Sequence, residues 1–292
     1  MQIGLKQSSE NANPIDSYSR PVPAWFVFKA TVIKDLLIAK RYLPNLIGNL
    51  VQLGMRMLFF LLLSTVITID GQEIVGRDLN DTNLFIFLQG SLLLLVFHRT
   101  ALWTPLFGVS RDLYNGTLEF LYSNPSSRYA YYAGTVAAEA LISMVAFLPL
   151  YVILVMVSGT DLINMLMILV VCVTVLMALM AMGIMIALLG LLWRQINSVS
   201  EVLFLTFELL AGAYFPVAAY PEAVQYLAYV LPYTWGYDLV RYYSFARDWK
   251  TILPIWQEWA ILIGLAIFFI LLSRYLLEKV EHKVKKEGLH LI

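Results

Sequence analysis

The sequence predicts an all-α integral membrane protein: six transmembrane helices, an N-terminal interfacial amphipathic helix and short re-entrant helices at the outer end. Three observations carry that prediction. The composition is too apolar for water, several apolar runs are long enough to cross a bilayer, and Lys and Arg collect on one side of those runs. Of the 292 residues, 60% are hydrophobic and only 14% are charged, against about a quarter in soluble domains. The mean hydropathy is +0.73. A chain so poor in charge cannot cover a water-facing surface, so lipid must solvate much of it.

A helical span needs about 20 mostly apolar residues. Such runs occur at 46–69, 84–109, 130–157, 163–192, 196–214 and 253–276. The stretch 222–246 is shorter and rich in Pro and Tyr, and is read as interfacial or re-entrant. Orientation follows from the basic residues of the short loops. With both ends inside, the cytoplasmic side holds Lys6, Arg20, Lys29, Lys34, Lys40, Arg41, Arg111, Arg128, Arg194, Arg274, Lys279, Lys283, Lys285 and Lys286. The opposite side holds Arg77, Arg241, Arg247 and Lys250, and its first loop carries Asp70, Glu73, Asp78 and Asp81. This bias implies a multi-pass protein of the cell (inner) membrane with both termini cytoplasmic. Residues 1–21 read as a cytoplasmic tail, 22–276 as the transmembrane domain and 277–292 as a second cytoplasmic tail. Met1 to Ser19 is polar, so no cleavable signal peptide is expected and the first span acts as the membrane signal.

Ahead of the first span, 22–43 reads as the interfacial helix. Trp25, Phe26, Phe28, Val32, Ile33, Leu36 and Leu37 alternate with Lys29, Lys34, Lys40 and Arg41. That pattern suits a helix lying on the bilayer with its lysines toward anionic headgroups. Pro44 then turns the chain into the membrane.

Composition also excludes several function classes. The formal net charge is zero, which gives no global field for a nucleic-acid partner. Cys172 is the only cysteine, so neither an internal disulfide nor a cysteine-built metal site is available. A small buried hydrophobe is the natural reading of that residue. With three histidines in all, no His-based metal cluster is expected either.

The spans themselves carry polar stripes. Asn45, Asn49, Gln52 and Arg56 are spaced by four, three and four residues, which sets them within about 60° of one another on a helix. Arg194, Asn197, Glu201, Glu208 and Gly212 share a face of the fifth span. At ~1.5 Å of rise per residue, Arg56, Arg99, Glu139 and Glu208 lie about 14–20 Å from the cytoplasmic ends of their spans, and Glu201 about 9 Å. An unpaired charge at such depth is costly, so these groups are expected to pair inside the bundle. A static ion-pair network, a substrate-lining role and a proton relay all remain open for Arg56, His98, Arg99, Glu139, Glu201, Glu208 and Tyr214. His98 and Arg99 are successive residues about 100° apart, so they do not share a face. His98 reads as a bundle-facing hydrogen-bonding residue. From Tyr214 to Tyr243 the outer end is dense in Tyr, read as an aromatic belt at the headgroup layer or as an exit that handles sugar or lipid.

Between spans two and three lies the segment Arg111-Asp112-Leu113-Tyr114-Asn115-Gly116-Thr117-Leu118-Glu119-Phe120-Leu121-Tyr122-Ser123-Asn124-Pro125. Asn115-Gly116 signals a turn, and Thr117 to Tyr122 a short amphipathic helix closed by Asn124-Pro125. Leu118, Leu121 and Tyr122 with Glu119 beside them would form an apolar knob edged by charge, suited to docking a partner.

This segment resembles the one shared by permease subunits of the ABC-2 class of ABC transporters, Arg-Glu/Asp-x-x-x-Gly-Thr-Leu-Glu-x-Leu-x-x-x-Pro. Arg111, Asp112, Gly116, Thr117, Leu118, Glu119, Leu121 and Pro125 match it, within a coupling loop at 110–129. The interfacial helix is similar to the family's connecting helix. Leu210 to Val217 with Tyr220-Pro221 resembles its fifth-span exit, and Leu231-Pro232-Tyr233-Thr234 with Arg241 resembles its outer re-entrant segment, here 215–250.

The resemblance implies a pair of six-span permeases, as homodimer or heterodimer, each docking an ATP-binding cassette subunit on the cytoplasmic side. Gly116 to Glu119 would be the coupling helix. Substrate (amphipathic, lipid-like, drug-like or glycan) would leave the cytoplasm at the dimer interface, between the second and fifth spans of opposite halves. ATP and Mg would sit on the partner subunit. The sequence has no Gly-x-x-x-x-Gly-Lys-Ser/Thr loop to cradle nucleotide phosphates, so this chain is expected to be no enzyme and to hold no cofactor of its own. The alternatives are a stand-alone secondary transporter or channel, which would call for internal repeats or interrupted helices, and an intramembrane enzyme, which would call for His pairs, a Ser–base arrangement or clustered carboxylates.

Overall fold

A computed structural model describes residues 22–66, 73–74, 77–78, 81–114, 127–192 and 196–287. The chain is helical almost throughout these segments. In order come α1 (Ala24–Arg41), α2 (Leu43–Val66), a two-residue hairpin of β1 (Glu73–Ile74) and β2 (Arg77–Asp78), and α3 (Asp81–Tyr114). They are followed by α4 (Arg128–Ser158), α5 (Leu162–Leu192) and α6 (Ile196–Leu210). A 3-10 turn (Val217–Ala219), α7 (Glu222–Tyr229), α8 (Pro232–Ser244) and α9 (Ile255–Glu287) complete the fold.

Among the described residues, five helices are long and apolar enough to cross a membrane: α2, α3, α4, α5 and α9. The sixth expected span, 196–214, is the 15-residue α6, about 22 Å long at ~1.5 Å per residue. It is shorter than the run of apolar residues that foretold it because Gly212 adopts φ +85°, a left-handed turn that ends helices. A Cβ there would meet Val217 Cγ2 at 2.6 Å and the Phe215 carbonyl at 3.1 Å, so the chain folds back tightly at this point.

Local chemistry sets the other ends. The Ser127 side chain accepts a hydrogen bond from the Ala130 N–H at 3.3 Å, an N-cap for α4. Gly159, at φ 60°, closes the same helix. Pro232 sits at the first helical position of α8, where its missing N–H costs nothing.

The core is organised around α3, the most buried of the spans. It packs chiefly against α4 and α5, while α5 also carries α8 and α9. Leu92, Leu93 and Leu94 are all fully buried, so this helix is surrounded and has no lipid face there. Phe97 meets Phe147 of α4 with ring centroids 5.0 Å apart. Cys172 is buried and free, as a small hydrophobe should be. By contrast α2 contacts mainly α3, and Val51, Met55 and Phe59 on it are exposed.

Helix α1 has Trp25, Phe26, Ile33 and Leu37 exposed and crosses α4 at very close range. A Cβ added to Gly134 would lie 2.9 Å from both the Phe28 carbonyl oxygen and Thr31 Cβ. Lys34 bridges to Asp35 at 3.2 Å and stands 4.9 Å from the Tyr131 ring centroid of α4.

The outer end departs from the aromatic-belt reading. Tyr226 is exposed, but Tyr233, Trp235, Tyr237 and Tyr243 are buried, because α8 packs against α5, α3 and α9 rather than lying at the surface. Arg241, counted from the sequence among the outer loop charges, is only 3% exposed. Its Nη2 donates to Ser91 Oγ at 2.8 Å and to the Gly212 carbonyl at 2.6 Å, with a longer contact to the Ala213 carbonyl at 3.3 Å. The guanidinium also stands 3.6 Å from the Phe87 ring centroid.

Two substitutions test this packing. Gly134→Leu should lower the thermal midpoint of the detergent-solubilised chain by several degrees, overpacking costing about 1–3 kcal/mol. Gly264→Leu, where a Cβ meets nothing within 4 Å, should leave it unchanged. Equal effects from both would show that the α1–α4 crossing is not tight.

Candidate functional site

A cavity of about 1000 Å³ opens between α1, α2, α3, α4 and α6. Each helix contributes polar groups by its own periodicity. On α2, Asn49, Gln52 and Arg56 line it, three members of the predicted stripe; the Asn45 side chain is outside the described set. On α6, Glu201 and Glu208 line it, seven residues or about two turns apart. On α4 the lining face is Thr135, Glu139 and Ser143, spaced by four. This third stripe was missed in the sequence, where Glu139 stood alone; its four-residue spacing was the available signal. Asp35 of α1 also reaches the cavity and had been passed over among its basic neighbours.

The structure therefore brings Arg56, His98, Glu139, Glu201 and Glu208 to one cavity. The expected ion pairing is realised between Arg56 and Glu208, at 3.6 Å. Tyr214, in the turn after α6, donates its hydroxyl proton to the same Glu208 carboxylate oxygen and packs edge-on against Phe60 of α2 at 6.1 Å. Glu208 thus joins α2 to the turn that ends α6. The Arg56 side chain is 43% exposed and that of Glu208 13%, so the pair borders open space and is not sealed in the core. Glu139 and Glu201 have no cation at ion-pair distance among the described residues.

Aromatic side chains share the lining. Trp103 and Phe107 of α3 stack at 5.0 Å with 9° between their planes, and Phe204 of α6 lies 4.9 Å from Trp103. His98 is not the hydrogen-bonding residue expected from the sequence. It is 2% exposed, packed edge-on against Tyr233 at 5.1 Å and Phe204 at 6.3 Å. Neither ring nitrogen makes a hydrogen bond of good geometry; the Phe204 backbone is its polar neighbour.

The remaining sequence candidates lie outside the described set. Arg99 is on α3, but its side chain is not described; Arg111 and Asp112 occupy the last turn of α3, again without described side chains. Gly116, Thr117, Leu118, Glu119, Leu121 and Pro125 fall outside the described residues. Among the described residues no group of His, Cys, Asp and Glu is arranged to hold a metal ion.

The cavity can accept a drug-sized molecule, with carboxylates, one guanidinium and aromatic rings together in its lining. A charge-swap experiment tests the Arg56–Glu208 link. Arg56→Glu or Glu208→Arg alone places like charges together and should lower the thermal midpoint in detergent. The double reversal should recover about 1 kcal/mol, the coupling expected of a partly exposed pair. A double variant no better than the worse single one would show that the two groups are independent.

Comparison with curated proteins gives no match. The family model described as ABC-2 type transporter matches residues 27–245, about three quarters of the chain, from α1 through the end of α8. Membrane-length helices arranged around a polar cavity accord with that match, and the chain belongs to the ABC-2 type transporter family, as a multi-pass membrane permease component.

Proposed function

We propose that this chain is the membrane-spanning permease of an ATP-driven exporter, moving an amphipathic substrate out of the cytoplasm while separate ATP-binding cassette subunits hydrolyse ATP with Mg. The observation that carries this reading is the cavity of about 1000 Å³, with charged and polar side chains at membrane depth, in a chain of the ABC-2 family. Intramembrane charges that border open space are expensive for structure alone and are kept where a pathway needs them. Arg56, Glu139, Glu201 and Glu208 are its wall, and Tyr214 positions Glu208.

In this reading α6 is the sixth span, completed across the bilayer by a second permease copy. Support comes from the apolar outer faces of α2 and α6, where Val51, Met55 and Phe59 on one and Val202 and Leu209 on the other are exposed. Pairing of those faces, as homodimer or heterodimer, would close the open side of the cavity. The coupling element is the segment 110–129, which follows directly from α3. Since α3 lines the cavity and anchors the core, closure of the ATP-binding subunits against Gly116 to Glu119 would move the wall bearing Trp103 and Phe107. Both termini lie in the cytoplasm, and α1 rests on the inner face of the membrane.

Affinity capture of the full-length chain from native membranes, with mass spectrometry and an ATPase assay, tests this. An ATP-binding subunit should be recovered with ATPase activity. Glu119→Arg should reduce both by roughly tenfold, the scale of a lost charge contact at an interface. Absence of any such subunit under mild extraction, with transport persisting, would instead establish a stand-alone transporter or channel.

A further inference from the structure

The charge on the cavity wall narrows the substrate class, given the pathway reading above. We propose that the cavity selects an amphipathic organic cation, with its charged nitrogen or phosphorus centre near Glu139 and Glu201 and its apolar body against the Trp103–Phe107–Phe204 wall.

The described lining holds four carboxylates, Asp35, Glu139, Glu201 and Glu208, against one guanidinium, Arg56. Arg56 is taken up by Glu208 at 3.6 Å, and Lys34 lies 3.2 Å from Asp35. Glu139 and Glu201 are left facing the cavity without a cation among the described residues. Counting Lys34 and Arg99 as further positive charges still leaves the carboxylates in excess. An anion entering this space would be repelled, and a neutral molecule would leave both carboxylates uncompensated as water is displaced.

Two independent observations point the same way. Trp103, Phe107 and Phe204 all line the cavity, and aromatic rings attract a nearby desolvated cation as well as packing against its apolar substituents. His98, 2% exposed and part of the lining, holds ring nitrogens with no hydrogen-bond partner of good geometry. A neutral imidazole nitrogen there can accept a hydrogen bond from a ligand ammonium. The volume of about 1000 Å³ suits a molecule of drug size.

The test uses tetraphenylphosphonium and its anionic counterpart of similar size and shape, tetraphenylborate, with the purified full-length chain in lipid nanodiscs and equilibrium dialysis. The phosphonium should bind saturably and the borate should not. Glu139→Gln and Glu201→Gln should each weaken phosphonium binding by roughly tenfold, as loss of a desolvated charge partner does. Glu201 lies on an exposed stretch of α6, so its variant keeps the test informative where Glu139→Gln impairs folding. Borate binding as tight as phosphonium binding, or unchanged affinity in a folded Glu201→Gln chain, would overturn the proposal. The two readings fail separately. Recovery of an ATP-binding subunit with no charge preference would remove the cation site and leave the exporter. Charge-selective binding with no such subunit would do the reverse.

Discussion

The packing of α8 against the rest of the molecule depends on one buried guanidinium. Arg241 on α8 reaches Ser91 of α3 and the carbonyls of Gly212 and Ala213, which the left-handed turn after α6 exposes. Those carbonyls lie in the turn just beyond the helix, outside any helical ladder, so a cation beside them gives buried acceptors a donor close to the negative end of the helix dipole. One side chain thereby fixes three elements that are far apart in sequence. Nearby, Asp238 accepts from Trp249 Nε1 at 2.8 Å and from the Ile252 N–H at 2.9 Å, and Glu258 accepts from the Leu253 N–H at 3.0 Å. The irregular chain between α8 and α9 thus has the backbone N–H groups of Ile252 and Leu253 met by buried carboxylates, as buried non-helical chain requires.

That arrangement explains how much of the fold was legible in the sequence. Helices α2 to α5 and α9 were visible because the bilayer demands long apolar runs with internally satisfied backbones, and composition reports such runs directly. The fate of α8 was hidden. Pro232 to Ser244 contains Tyr, Asp and Arg, which reads as surface, yet almost every residue of it is buried. Its two charged side chains find partners that no local pattern identifies, Arg241 at Ser91 and Asp238 at Trp249. The same limit shortened α6: hydrophobicity continues through Leu209 and Leu210, while the turn at Gly212 is a backbone event.

The cavity was partly legible for the same reason. Helical spacing placed Asn49, Gln52 and Arg56 on one face, and Glu201 and Glu208 on another, and depth arguments brought Arg56 and Glu208 to one level. Which acid would meet Arg56 needed three-dimensional packing. The aromatic wall carried no signal at all, since Trp103 and Phe107 sit in an apolar run where rings are ordinary. His98 was legible in part: it faces the bundle as expected, and the rings of Phe204 and Tyr233 that surround it come from distant segments.

The unequal packing of the helices has a mechanical consequence. The core of α3, α4 and α5 interlocks through large buried side chains, whereas α2 rests on α3 almost alone and α6 touches mainly the chain at its own exit. In lipid, an apolar side chain that leaves a protein neighbour finds an acyl chain of similar character, so separating such helices costs little hydrophobic energy. The bundle therefore divides into a stiff frame and two loosely held slats, and the slats carry Arg56 and Glu208. The two helices joined by the 3.6 Å contact between Arg56 and Glu208 are thus the ones least held by the core, so any change in the width of the cavity would fall on that contact first.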